Sequence, residues 1–122
     1  MLNTEIIFAL VLLLIHVWLV PMVFSLPHAK WLLGARDDAV ELPVLAQRAK
    51  RAAANYMESL PAFLAIALLL KIDGIDVGSL ALYWLSLRGV YLVLYVLGTP
   101  MIRSAVWIGS VVILIQMALA LL

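Results

Sequence analysis

The chain has 122 residues, of which 67% are hydrophobic and 12% charged. Soluble domains are nearer 45–50% apolar and about 25% charged, so this composition excludes an ordinary soluble fold and points to an integral membrane protein. Net charge is +1 and cysteine is absent, which argues against a nucleic-acid footprint, a disulfide framework, a thiolate metal site and a cysteine nucleophile.

The first apolar run covers residues 6–26. The residues before it, Met1-Leu2-Asn3-Thr4-Glu5, carry no Lys or Arg, so the run reads as a retained span and not as a cleaved signal. Pro21 lies near its end. A polar loop over residues 27–43 follows, with Lys30, Arg36, Asp37, Asp38 and Glu41. Pro43 suits the first turn of the next helix. The second span, residues 44–72, is long and polar in its first half, and Pro61 is expected to bend it just beyond Glu58. Asp73-Gly74-Ile75-Asp76 is a turn. The third span covers residues 77–97. Gly98-Thr99-Pro100 is a second turn, and the fourth span covers residues 101–122. Four spans of about 20 residues fill the chain. The expected fold is therefore a single all-α domain, a four-helix up-and-down membrane bundle.

Lys30, Arg36, Arg48, Lys50, Arg51 and Arg103 border the first and third loops, whereas only Lys71 lies near the other side. The positive-inside rule places loops 1 and 3 in the cytoplasm and both termini opposite.

The chemistry-bearing feature is a stripe in the second span: Arg48, Arg51, Asn55 and Glu58. At 100° per residue these fall within an arc of roughly 80°. A charge at bilayer depth costs about 2.5–3.5 kcal/mol on insertion scales, so the stripe must face a partner helix, a wet cavity or a ligand. Two cations, an amide and a carboxylate suit a zwitterionic ligand with free carboxylates and an amine. Arg48 and Arg51 could equally snorkel to headgroups. In the third span Arg88, Tyr91 and Tyr95 share an arc of about 60°, and Glu58 is the expected counter-ion of Arg88, as ligand site or as structural pair. Arg103, followed by Ser104, is either an interfacial anchor or a cation that stabilises a thiolate. Tyr91, Tyr95 and Trp107 fit an aromatic belt as well as a site. His16 is expected to hydrogen-bond a neighbouring helix. No constellation of metal ligands, hydrolase triad or phosphate-binding glycine loop is visible.

The stretch from Arg48 to Phe63, with Arg51-Ala52, Asn55, Glu58, Pro61 and Phe63 in order, resembles the MAPEG family, the membrane-associated proteins of eicosanoid and glutathione metabolism. Arg88-Gly89-Val90-Tyr91-Leu92-Val93-Leu94-Tyr95 and Pro100-Met101-Ile102-Arg103-Ser104 look like that family's third and fourth helices. The resemblance implies a homotrimer with glutathione as co-substrate held between subunits on the cytoplasmic side, and an apolar substrate arriving from lipid. It implies that Arg51 meets a glutathione carboxylate, and that Asn55 and Glu58 meet its backbone and amine. Arg48, Arg88, Tyr91 and Tyr95 would complete the ligand site. Arg103, assisted by Ser104, would stabilise the thiolate that attacks an electrophile or reduces a hydroperoxide. Two rival readings stand beside it. One is a non-catalytic lipid-binding or scaffold protein of the same fold. The other is a small multidrug exporter, which wants a carboxylate within the first span, where only Glu5 at its edge is available.

Overall fold

The computed structural model describes residues 2–122. Four helices are long and apolar enough to cross a membrane: α1 (Asn3–Phe24), α2 (Val44–Ile72), α3 (Leu80–Leu97) and α4 (Pro100–Leu119). Among the described residues there is no strand. The protein is an all-α, multi-pass membrane bundle, and short connections make sequential helices antiparallel neighbours.

Three of the four helices end or begin at other residues than the apolar runs read from the sequence. Helix α1 starts at Asn3 and ends at Phe24, because nothing in Asn3-Thr4-Glu5 opposes helix and a carboxylate is favourable in a first turn. The first loop is not wholly irregular. It carries a 3₁₀ turn, Leu26–His28, and a short helix, Ala29–Leu33, which ends at the extended Gly34. Helix α3 starts only at Leu80, because Gly78 takes a positive φ and its N–H donates to Asp76 Oδ1 at 2.8 Å. Helix α4 takes Pro100 into its first turn, where a missing N–H costs nothing. Helix α2 runs unbroken through Pro61.

One irregularity lies inside α1. Residues Ile15–Leu19 form a π turn, in which the Val20 N–H donates to the Ile15 carbonyl, five residues back. Pro21, which lacks an N–H, follows directly, and such wide turns absorb the mismatch a proline introduces. His16 lies within this turn and is fully buried.

The core lies between α1, α2 and α3. Helix α2 turns Ala46, Ala49, Ala52, Ala53, Tyr56, Leu60, Phe63, Ala67 and Leu70 inward, a 3.6-period face. Its alanines let neighbouring backbones approach closely. Helix α4 is peripheral: it buries only Ser110 and Met117 and packs mainly on α3.

Candidate functional site

The candidate site grows from the α3–α4 corner. Gly98 adopts φ 76°, and the N–H groups of Gly98 and Thr99 donate to the Tyr95 and Leu94 carbonyls. This closing motif turns the chain within two residues. It brings Arg103, in the first turn of α4, back over α3, where its guanidinium lies 4.4 Å from the Tyr95 ring centroid. From α2, Arg51 approaches the same ring at 5.9 Å. Three helices thus converge on Tyr95, and two guanidinium groups flank it.

Arg103 lies at the positive end of α4, where a cation is disfavoured by about 0.3–1 kcal/mol. Folding alone would not select that position. The combined field of Arg51, Arg103 and the first N–H groups of α4 favours an anion beside Tyr95. Arg51 is exposed and Arg103 half-buried, so both can meet a ligand.

Deeper in the bundle the polar cluster continues. Tyr95 packs edge-on against Tyr91 at 5.7 Å. The Arg88 guanidinium lies 4.6 Å from the Tyr91 ring and 5.6 Å from the Tyr56 ring. Tyr56 in turn stacks on His16, with centroids 4.4 Å apart and planes 8° apart. The Tyr56 hydroxyl donates to the Ala9 carbonyl at 2.6 Å, and His16 Nδ1–H donates not to a neighbouring helix but to the Leu12 carbonyl of its own, at 2.8 Å. Cation–π contact stabilises a desolvated guanidinium by about 2 kcal/mol, so two tyrosine faces offset part of the cost of burying Arg88.

The expected Glu58–Arg88 pair does not form. Arg88 is fully buried and donates from Nη2 to Asn55 Oδ1 at 2.6 Å, while its Nε and Nη1 have no partner. Glu58 is exposed at the middle of α2. The reason is angular: Glu58 lies on the far edge of the stripe, turned away from α3, whereas Asn55 lies nearer the buried face. Because the Asn55 oxygen accepts from Arg88, its NH₂ group is the part left for a ligand.

Arg48 occupies a different place from its stripe neighbours. Its Nη1 donates to the Val96 carbonyl at 3.1 Å, and a Cβ added to Gly98 would lie 2.9 Å from its guanidinium. It covers the C-terminal end of α3, where a cation meets unpaired carbonyls and the negative end of the helix. Ser104 is exposed and its hydroxyl donates to the Pro100 carbonyl at 2.9 Å.

Arg51, Asn55, Arg88, Tyr91, Tyr95 and Arg103 are therefore linked by direct contacts, with Glu58 and Ser104 exposed beside them. Sequence reasoning missed Tyr56, which joins His16 to Arg88. Its signal was available, since a tyrosine one residue after Asn55 falls on the apolar face of α2 and its hydroxyl needs an acceptor there. No group of three or more metal-ligating side chains occurs among the described residues. A model of the MAPEG family matches residues 5–122. No curated protein and no solved structure matches the chain.

Proposed function

The chain belongs to the MAPEG family, and on that footing we propose that it is a glutathione-dependent transferase that joins the thiol to an apolar electrophile. The observation that carries this reading is the convergence of Arg51 and Arg103 on the Tyr95 ring. A thiol placed there loses its proton readily, because nearby guanidinium groups and a helix N-terminus favour thiolate. The thiolate then attacks the electrophilic carbon, a sulfur–carbon bond forms, and the displaced electrons leave with the leaving group or add to a conjugated carbonyl. The same thiolate can attack the terminal oxygen of a hydroperoxide: a sulfur–oxygen bond forms as the O–O bond breaks, the alkoxide leaves and takes a proton to become the alcohol, and a second glutathione displaces water from the sulfenic acid to give the disulfide. Arg103 stabilises the reacting sulfur, Arg51 takes a glutathione carboxylate, the Asn55 NH₂ donates to a carbonyl, and Glu58 takes the glutamyl amine. Ser104 stands beside Arg103 as an auxiliary donor. Arg88 holds Asn55 in orientation and Tyr91 holds Arg88.

Two further observations support this reading. An apolar groove lined by Val20, Phe24, Leu92, Val93, Val96 and Leu97, about 210 Å³, lies against the same end of α3, which suits a substrate arriving from lipid. Glu58 and Arg51 are exposed on the single protomer, although Glu58 sits at mid-span, where a lipid-facing carboxylate is costly. Packing of α2 against other copies in a homotrimer would remove that cost and close the ligand site between subunits. The site end, with loops 1 and 3, faces the cytoplasm by its excess of Lys and Arg.

Calorimetry of the detergent-purified protein with glutathione tests the proposal. Saturable binding is expected in the wild type and is expected to vanish in Arg51→Ala and Glu58→Ala. A folded wild type that binds no glutathione would sink it.

A further inference from the structure

A second cavity lies away from Tyr95, where α1, the first loop and α2 meet. It has a volume of about 260 Å³, well above the roughly 150 Å³ cavity known to admit benzene. Its walls are of two kinds. Val17, Trp18, Pro21 and Met22 from α1, with Leu32 and Leu33 from the loop helix, are apolar. Arg36 and Lys50 bring cations to it, and Ser25 completes the lining. None of the residues gathered around Tyr95 lines it.

Three observations mark this cavity as a ligand site. First, Ser25 is 1% exposed and its hydroxyl has no hydrogen-bond partner. A buried unpaired hydroxyl costs stability, and a ligand oxygen in the cavity would remove that cost. Second, Arg36 takes φ 60°, a left-handed conformation that is unfavourable for a non-glycine residue. Its Nε donates back to the Leu32 carbonyl at 2.9 Å and its guanidinium lies 5.9 Å from the Trp31 ring, so the strained backbone holds the cation over the loop helix. Strain of this kind is characteristic of ligand clamps. Third, Arg36 also borders a neighbouring hollow with Asp37 and Asp38, but no carboxylate lines the cavity itself beside Arg36 and Lys50.

From Val17 to Ser25 is about 12 Å along a helix, so the cavity runs from the charged membrane boundary into the hydrocarbon. We propose that it is a binding site for one anionic membrane phospholipid, independent of the glutathione reading. The phosphate lies between Arg36 and Lys50 and accepts from the Ser25 hydroxyl, and the upper acyl chain lies along Val17, Trp18, Pro21 and Met22. Charge complementarity selects this occupant over a zwitterionic lipid, whose choline would face the same two cations. The length and apolar character of the α1 wall select it over a free phosphate.

Native mass spectrometry of the detergent-purified protein, offered equal amounts of phosphatidylglycerol and phosphatidylcholine, tests the proposal. The wild type is expected to retain phosphatidylglycerol at least about tenfold more than phosphatidylcholine, because the choline ammonium meets like charge at the two cations that hold the phosphate. Arg36→Gln with Lys50→Gln is expected to abolish the preference, and Ser25→Ala to weaken it. Lys30→Gln with Lys71→Gln removes the same charge elsewhere and is expected to keep it. Circular dichroism confirms that each variant retains its helix content. Equal retention of the two lipids by the wild type would overturn the proposal, as would equal loss in the Lys30/Lys71 control. Displacement of phosphatidylglycerol by inorganic phosphate alone, or by equimolar oleate, would overturn the phospholipid as occupant.

Discussion

Around Phe63 and Trp84 the bundle is dry. Their rings stack 4.2 Å apart at 9°, and Leu60, Ala67, Leu70, Ala81, Leu85 and Met117 fill the space about them. One to two turns further along α3, around Arg88 and Tyr91, the interior holds a guanidinium with two unpaired nitrogens and a histidine whose Nε2 has no partner. Both regions are built on α2 and α3. Apolar packing in lipid yields stability through van der Waals contact and little else. A buried cation without a carboxylate costs stability, so the two halves differ in how far packing alone accounts for their residues, and on the proposed function the second half is the ligand-binding one.

The contrast can be broken from either side. Trp84→Ala should be the most damaging change to the fold. Loss of a buried aromatic costs about 3–5 kcal/mol in soluble cores, and the lower end is expected in lipid, where the transfer contribution is smaller. Detergent unfolding curves would show the loss, while glutathione affinity in the folded fraction should hold. Arg103→Ala should do the reverse. Removing a donor that stabilises developing charge costs about 100-fold or more in turnover, with an unchanged unfolding midpoint. Equal damage to both quantities by either variant would erase the division between the two halves.

Smaller changes sharpen it. Gly98→Ala forces a Cβ into a left-handed residue and against the Arg48 guanidinium, so a loss of about 1–2 kcal/mol is expected. Adding Arg48→Ala should relieve the contact but not the backbone strain, leaving the double variant less stable than Arg48→Ala. Tyr56→Phe removes the hydroxyl that donates to Ala9 and should cost about 1 kcal/mol, read from thermal unfolding. Arg88→Met is expected to leave stability within about 1 kcal/mol of wild type or to raise it, because an uncompensated buried charge disappears. Glutathione affinity should nevertheless fall, since Asn55 loses the partner that orients its amide. A strongly destabilised Arg88→Met would show that Arg88 is a structural keystone instead.

Membrane class, span number and the second span were legible in the sequence, because composition and the length of apolar runs are one-dimensional properties dictated by the bilayer. The stripe from Arg48 to Glu58 was legible for the same reason: helical periodicity places its members within one arc without reference to any neighbour. The π turn at Ile15–Leu19 was not. Pro21 signals a disturbance, but whether a helix answers with a kink or a wide turn depends on what packs against it, here Tyr56 on His16. The partner of Arg88 was also beyond the sequence. Glu58 is the stronger counter-ion by charge, and Asn55 prevails because helix rotation points the carboxylate away from α3. Likewise, the stripe divides in three dimensions. Arg48 covers the end of α3 and Arg51 flanks Tyr95, a difference set by the two-residue corner at Gly98-Thr99. Periodicity determines which residues share a face, and only the packing of one helix on another decides what that face meets.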